Sequence, residues 1–392
     1  MAEGKVRVCV NGYGVIGKRV ADAVAKQDDM ELVGISDIVQ DYRIRVAAER
    51  GYPIYASIAD KRSMMEDANI PVEGTLEELL GKVDVVIDCT PKGIGAKNKP
   101  MYERAGVKAI FQGGEEHELT GLSFTAQVNY AEALNKQYAR VVSCNTTGLC
   151  RVLNALYKRG WIKRARAVLM RRGTDPWESH RDGMINTAIP ETKVPSHQGP
   201  DAQTVIKGLD ITTMAGAGPY NLSHLHFAMV ETTRPVSLDE LRHALWEEPR
   251  VSFIHSSNGL VALNSVIELM RDLERPRNDM WEVAVWEDAL AVDEREVYLA
   301  FQVHNEAIAI PENIDCIRAI TGIIENGQES IEKTNRSLGI VKSFLPKTMP
   351  EEVIHIAMGK AIEEAQREFM EEGFKGSEEP TKAEPTPQQR TA

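Results

Sequence analysis

The residues best suited to covalent chemistry are Cys144 and the pair His224 and His226. Cys144 stands in SCNTTGL (143–149), after the apolar run ARVV (139–142) and before the helix-like run CRVLNALYKRG (150–160). A strand-to-helix junction is expected there, with the thiol at or just before the helix N-terminus. Unpaired amides and the local field at such a terminus stabilise a thiolate. Neighbouring amides and the side chains of Asn145 and Thr146 are candidate donors to an oxyanion, and a nearby base would complete the arrangement. The triplet HLH at 224–226 alternates along a predicted strand, so both rings point to one face. One is a candidate to activate Cys144 and the other to line its pocket. On residue type alone, Cys144 also reads as a packing cysteine, and His224 as a satisfied histidine.

A second constellation is NGYGVIG (11–17), in which Gly12, Gly14 and Gly17 fill the pattern G-x-G-x-x-G. A predicted strand precedes it and a predicted helix follows, and Asp37 falls about twenty residues after Gly17 at the end of the next strand. In that context Gly12 makes the turn, Gly14 lets backbone approach a pyrophosphate, and Gly17 lets helix and strand pack closely. The helix N-terminus then meets the diphosphate with free amides. A carboxylate at Asp37 accepts from a ribose 2′-hydroxyl and repels a 2′-phosphate, so NAD is expected over NADP.

These sites need elements to hold them. The first third alternates short apolar runs (5–10, 31–36, 83–89, 108–111, 139–143) with helical patterns, the grammar of a parallel sheet with crossover helices. Between the first two, Ile16, Val20 and Val24 share a helix face. Beyond residue 150 longer alternating runs (165–172, 224–233, 281–292, 296–306) predict antiparallel strands with one wetter face. SLDE at 237–240 is a capping-box start for a helix through Trp246, and Pro311 opens another over 311–325 with helical pattern continuing to about 372. The expected fold is an α/β Rossmann-type parallel-sheet domain plus an α+β catalytic domain with a mainly antiparallel sheet. The predicted division is 1–143 for cofactor binding, completed by helices over about 305–372, with 144–304 for catalysis and oligomerisation. Residues 376–392, proline-rich and without large apolar side chains, are expected to be a disordered tail.

Composition excludes other classes. The 392 residues carry 46 Lys plus Arg against 58 Asp plus Glu, a net charge of −12, which lacks the basic footprint of a nucleic-acid binder. No run of about 18 apolar residues predicts a membrane span, and no signal peptide is read at the start. Five cysteines without a CxxC pair indicate neither a disulfide framework nor a metal site. Reducing cytosol is the expected compartment. Cys9, Cys89, Cys150 and Cys316 are expected to be packing residues.

Taken in order, NGYGVIGKRVA, DVVIDCTPKGIGAKN, AIFQGGE, SCNTTGLCR, RRGTDP, PSHQGPD, HLHF and PENIDCIRA resemble the archaeal-type (type II) phosphorylating glyceraldehyde-3-phosphate dehydrogenases, from about residue 5 to 340 and beyond. The resemblance implies a cytoplasmic homotetramer that oxidises glyceraldehyde 3-phosphate with NAD(P) and inorganic phosphate to 1,3-bisphosphoglycerate, through a thiohemiacetal and a thioester on Cys144. It implies His224 as catalytic base. It also implies cofactor contacts at Val15, Ile16, Gly114, Arg172 and Asn305, and substrate contacts at Ser143, Cys144, Asn145, His197 and Gln198.

Three departures stand out. SDIVQD carries Asp37 and Val39 where relatives often have lysines, in agreement with the NAD expectation. Gln198 replaces a usual second histidine, and Asn305 stands for a longer glutamine. Arg171 and Arg172 are the candidate local positive charge, on opposite faces of one strand, with the site-facing member left open. The SCNTTG context weighs against a semialdehyde dehydrogenase. Retention of Cys144 and His224 weighs against a catalytically silent NAD-binding protein.

Overall fold

The computed structural model describes residues 4–179 and 185–345. Two sheets organise them. The first is wholly parallel, in the order β4-β3-β2-β1-β5-β6-β8-β7. Its strands are β1 (Val6–Asn11), β2 (Met30–Asp37), β3 (Ile54–Ala56), β4 (Val72–Thr75), β5 (Val85–Asp88), β6 (Lys108–Gln112), β7 (Ser123–Phe124) and β8 (Tyr138–Val141). The crossovers carry α1 (Val15–Ala25), α2 (Tyr42–Glu49), α3 (Arg62–Asp67), α4 (Leu76–Leu80), α5 (Ile94–Ala105) and α6 (Ala126–Asn129). The five strands expected from sequence are present with shifted ends. Strands β3, β4 and β7 went unread because two to four residues hold too little alternation to register. β1 is central and its Val8, Cys9 and Val10 are fully buried, as a strand covered on both faces requires. From β1 the chain steps outward to β4, then returns to β5 on the other side. The C-terminal ends of β1 and β5 therefore flank a switch point, where such sheets open a crevice.

The second sheet comprises β9 (Ile162–Arg172), β10 (Ile189–Pro190), β11 (Ile211–Gly218), β12 (His224–Thr232), β13 (Val251–Ile254), β14 (Val283–Trp286), β15 (Ala291–Asp293) and β16 (Glu296–Val303). The order is β10-β11-β9-β12-β16-β14-β13, with β15 also on β16. It is mainly antiparallel, as expected, with β9–β11 and β13–β14 as its two parallel pairs. The predicted run 281–292 breaks at Glu287–Ala289 into β14 and β15. α7 (Cys144–Tyr157), α8 (Gln198–Val205) and α9 (Leu238–Glu247) accompany this sheet, and its inner face carries His224, His226, Ala228 and Val230 at alternate positions of β12. The capping box of α9 is in place, with Ser237 Oγ accepting from the Glu240 amide and the Glu240 carboxylate accepting from the Ser237 amide.

After α10 (Leu263–Asp272) and β16, the chain returns to the first sheet. α11 (Ile310–Thr321), with Pro311 in its first turn, packs on α1, β6 and β8, and α12 (Gly327–Leu338) packs on α11. The helical pattern expected to continue to 372 and the tail at 376–392 extend into residues outside those described.

α11 is buried along its length although it carries Glu312, Asp315 and Arg318. Its charges are paired. Arg151 of α7 donates to Glu312 Oε1 at 3.1 and 2.5 Å and to the carbonyls of Trp281 and Ile308. Arg250 donates to Glu312 (3.0 Å) and Asp315 (2.5 Å), while Arg318 reaches Asp29. Glu312 Oε2 accepts from the Ala126 amide at 2.6 Å. Removing one member strands the others in a dry interior. Glu312→Gln is therefore expected to cost about 3–5 kcal/mol, read as a lowered denaturant midpoint; a midpoint unchanged from wild type would show that the cluster carries no such load.

Candidate active site

Three loops meet at the carboxyl edge of the first sheet. Gly12 has φ +92°, and a Cβ there would stand 2.9 Å from the Cys89 carbonyl carbon after β5. At Gly17 a Cβ would fall 1.8 Å from the Gly12 oxygen, so helix and turn touch through backbone alone. Gly14 is the reverse: a Cβ there would meet nothing within 4 Å, so the backbone faces open space. α1 starts immediately after it without a side-chain cap, leaving the first-turn amides of Val15, Ile16 and Gly17 with no intrahelical acceptor. That cradle suits a pyrophosphate. Asp37, at the end of β2, accepts the amides of Tyr13 and Ile38 at 2.6 Å each, which fixes its carboxylate beside the glycine loop. Gly114 follows β6 and lies beside Lys92 of the β5–α5 loop. Glu115 binds the amides of Gly93 (2.8 Å) and Gly95 (3.0 Å), locking the second and third loops together.

Cys144 is the first residue of α7, capped by Ser143, whose Oγ accepts from the Thr146 amide. Its Sγ lies 3.4 Å from His224 Nε2 and 3.8 Å from Asn145 Nδ2. The residue is half-buried. Burial pushes its thiol above the ordinary range, while the Arg172 guanidinium and the amides of Asn145 and Cys144 pull it down. His224 is held from behind, with its Nδ1 accepting the Arg172 backbone N–H at 3.0 Å. A backbone amide only donates, so the neutral ring must carry its proton on Nε2, toward the sulfur. Burial, His226 and the two arginines hold His224 uncharged, well below the usual histidine value. His226 Nε2 lies 2.9 Å from Asn145 Oδ1.

The arginines divide as neighbours on a strand should. Arg172 pairs with Asp175 at 2.8 Å, and Asp175 accepts from Asn305 Nδ2. Asn305 Oδ1 in turn accepts the amide of Ser223, a residue at φ +68° immediately before His224. Arg172 and Asn305 thus converge on the Cys144–His224 pair. Arg171 turns to Glu191 (3.0 Å), whose carboxylate is also 3.7 Å from His197. His197 is exposed, and Gln198 behind it is fully buried. Both amide atoms of Gln198, and Nε of both arginines, lack a protein partner among the described residues. Asp175, Glu191 and Ser223 went unread in the sequence, because only the folded loops bring them to the arginines and His224. No cluster able to hold a metal occurs among the described residues.

One buried contact joins the loop helix to the later chain. Arg19 of α1 donates to Asp279 (2.8 Å) and to Glu306 (2.6 Å), next to Asn305. Burial raises Asp279 to about 6.

Residues 143–289 match the family model described as glyceraldehyde 3-phosphate dehydrogenase, C-terminal domain, and residues 6–146 match dihydrodipicolinate reductase, N-terminus. A glyceraldehyde-3-phosphate dehydrogenase of Methanobacterium bryantii is 49% identical over 336 residues, covering 85% of this chain and 99% of the relative. The protein of that name from Methanothermobacter thermautotrophicus is 48% identical over 337 residues, 86% of this chain and all of the relative. Glyceraldehyde-3-phosphate dehydrogenase 1 of Methanosarcina barkeri is 46% identical over 339 residues, 86% of this chain and 99% of the relative.

A thiol raised by burial beside a neutral imidazole is mostly protonated at neutral pH and ionises as the pH rises. Iodoacetamide should therefore alkylate Cys144 of the ligand-free protein faster with each step from pH 7 to 10. Arg172→Met should push that profile further up. A rate already level below pH 7 would show a preformed thiolate–imidazolium pair instead.

Proposed function

The chain belongs to the glyceraldehyde-3-phosphate dehydrogenase family, and on that premise we propose how its own residues carry the reaction. The protein oxidises glyceraldehyde 3-phosphate, with a nicotinamide cofactor and inorganic phosphate, to 1,3-bisphosphoglycerate. The observation that carries the residue-level reading is Cys144 Sγ at a helix N-terminus, 3.4 Å from His224 Nε2.

In this reading the Cys144 thiolate adds to the aldehyde carbon, forming a C–S bond and placing negative charge on the carbonyl oxygen. His224 Nε2–H and Asn145 Nδ2–H donate to that oxygen. The oxygen stays an alkoxide held by these two N–H groups until the hydride leaves, the thiol's own proton having passed to solvent before addition. Because Nδ1 accepts the Arg172 amide, His224 acts in this reading as a hydrogen-bond donor rather than as the base the resemblance implies. A nicotinamide bound beside Cys144 would supply the hydride acceptor. The thioester left on Cys144 retains the energy of oxidation until a phosphate oxygen attacks its carbon and the thiolate departs. Arg171, Arg172, His197 and Gln198 are the proposed phosphate donors, supported by the arginine Nε groups and the Gln198 amide, which have no partner among the described residues. Ser143 caps the nucleophile's helix at the substrate end.

For the cofactor, Gly12, Gly14, Val15, Ile16 and Gly17 are proposed to cradle the diphosphate. Gly114, Arg172 and Asn305 bound the nicotinamide end. Asp37 is proposed to take the ribose hydroxyls and favour NAD. Arg43, unread in the sequence, supports some use of NADP, because it lies close enough to the Asp37 carboxylate for that charge to help raise its own pKa, after Asp41. It is, however, committed to Asp41 at 2.5 Å and stacked on Trp177. The sequence division at about 143, with helices beyond 305 returning to the first part, is supported by sheet membership. Among the described residues no helix is long and apolar enough to cross a membrane, and a cytoplasmic enzyme is proposed.

A homotetramer is also proposed. The outer face of the second sheet presents Met214 and Phe227, with Val168, Met170, Met229 and Tyr298 beside them. Neighbouring Arg166 and Glu296 add charge of both signs, which suits a self-complementary partner. Phe227→Glu should sediment as a smaller species than wild type; unchanged sedimentation would place the interface elsewhere.

An assay with glyceraldehyde 3-phosphate, NAD and phosphate should give NADH only with all three present, and Cys144→Ala should give none. The same rate without phosphate would rule out the phosphorylating reaction. Asp37→Asn should raise efficiency with NADP relative to NAD, as should Asp41→Asn by releasing Arg43. Unaltered ratios in both variants would remove Asp37 as the discriminator.

A further inference from the structure

We propose that His226 is a positioning residue, whose Nε2–H holds the Asn145 carboxamide with its N–H2 group, rather than its oxygen, turned toward the Cys144 sulfur and the oxygen that becomes negative there. This rests on reading Cys144 as the nucleophile. The two ends of a carboxamide are opposite in chemistry and nearly equal in size. Nδ2 donates to a thiolate or alkoxide, whereas Oδ1 repels both. At 3.8 Å from Sγ, Asn145 is useful only in the first orientation, and its place in the chain does not select it. The selection comes from across the site. His226 Nε2 lies 2.9 Å from Asn145 Oδ1 and, as a donor, fixes that end as the oxygen.

The ring itself has little freedom. His226 is fully buried, edge-on to Phe301 with centroids 5.0 Å apart, and parallel to His224 at 6.2 Å. Its Nδ1 has no partner among the described residues. A proton on Nδ1 would therefore be a buried, unanswered donor. It would also leave Nε2 an acceptor, turning the carboxamide over and aiming its oxygen at the sulfur. The period of the strand explains the placement: residues 224 and 226 of β12 share the inner face, so one ring reaches the sulfur and the next reaches its neighbour on α7.

The test compares Asn145→Ala, His226→Phe, the double variant and His226→Gln, whose carboxamide can present an N–H in place of Nε2. Loss of one oxyanion donor costs about 10²–10³-fold in kcat, so His226→Phe is expected to lose at least about tenfold and no more than Asn145→Ala. KM should stay within about twofold of wild type, because the missing contact acts on the reacting atoms. Both single variants should move the pH profile of Cys144 alkylation upward. The double variant should match Asn145→Ala alone, and His226→Gln should recover most of the loss. Losses that multiply in the double variant, or an alkylation profile unmoved by His226→Phe, would overturn the proposal. Should His226→Phe fail to fold, the ¹⁵N imidazole spectrum of the unaltered protein decides: Nε2 protonation is expected and Nδ1 protonation overturns it. Alkylation and ring protonation are read without turnover. A protein inactive on glyceraldehyde 3-phosphate would therefore defeat the functional reading while leaving these results to judge His226.

Discussion

The ion cluster around Glu312 is the constraint on which the site depends. The helix that opens at Cys144 belongs to the packing of the second sheet, while the crevice at the glycine loop belongs to the first. Arg151 on that helix, Arg250 before β13 and the amide of Ala126 all converge on one carboxylate of α11, a helix seated on the first sheet. In a dry interior each of these charges is tolerable only while the others are in place. The geometry is therefore not adjustable in small steps. Cys144 is held at a fixed distance from the crevice because Arg151, two turns along the same helix, is fastened to Glu312.

The same economy governs the chemistry. In a chain with a net charge of −12, few positive groups gather near Cys144, and the fold controls which way they face. Arg172 lowers the thiol through its guanidinium and fixes the tautomer of His224 through its backbone, so one residue sets both the charge and the proton inventory of the pair. The histidines are kept neutral by burial. They serve as directional hydrogen-bonding groups, which a charged imidazolium in this pocket would not do.

Much of this was legible in the sequence, for reasons that differ by residue. The glycine loop is written in residue types, because only glycine fits the clearances at Gly12 and Gly17. Cys144 and His224 are legible because reactive residue types sit at a recognisable junction and on an alternating strand. Asp37 was legible by its interval from the loop, but Arg43 was not. Whether a guanidinium is available depends on Asp41 and Trp177, which the chain places beside it only after folding. Likewise the choice between Arg171 and Arg172 lay in the loops carrying Asp175 and Glu191. The parallel pairs β9–β11 and β13–β14 were hidden because strand direction is a property of connections, whereas alternation records only burial.

The contact of Arg19 with Asp279 and Glu306 bears on how such proteins can be recombined. Residues 6–146 match a reductase's N-terminus and residues 143–289 a different family model, which invites the view of two interchangeable modules. Arg19 lies two residues beyond the glycine loop, yet both its carboxylate partners come from the last third of the described chain. A transplanted loop helix with an apolar residue in place of Arg19 would leave two acids facing each other without a cation. The unit of inheritance is thus not the contiguous segment but the segment together with two distant carboxylates, and any chimera must carry all three.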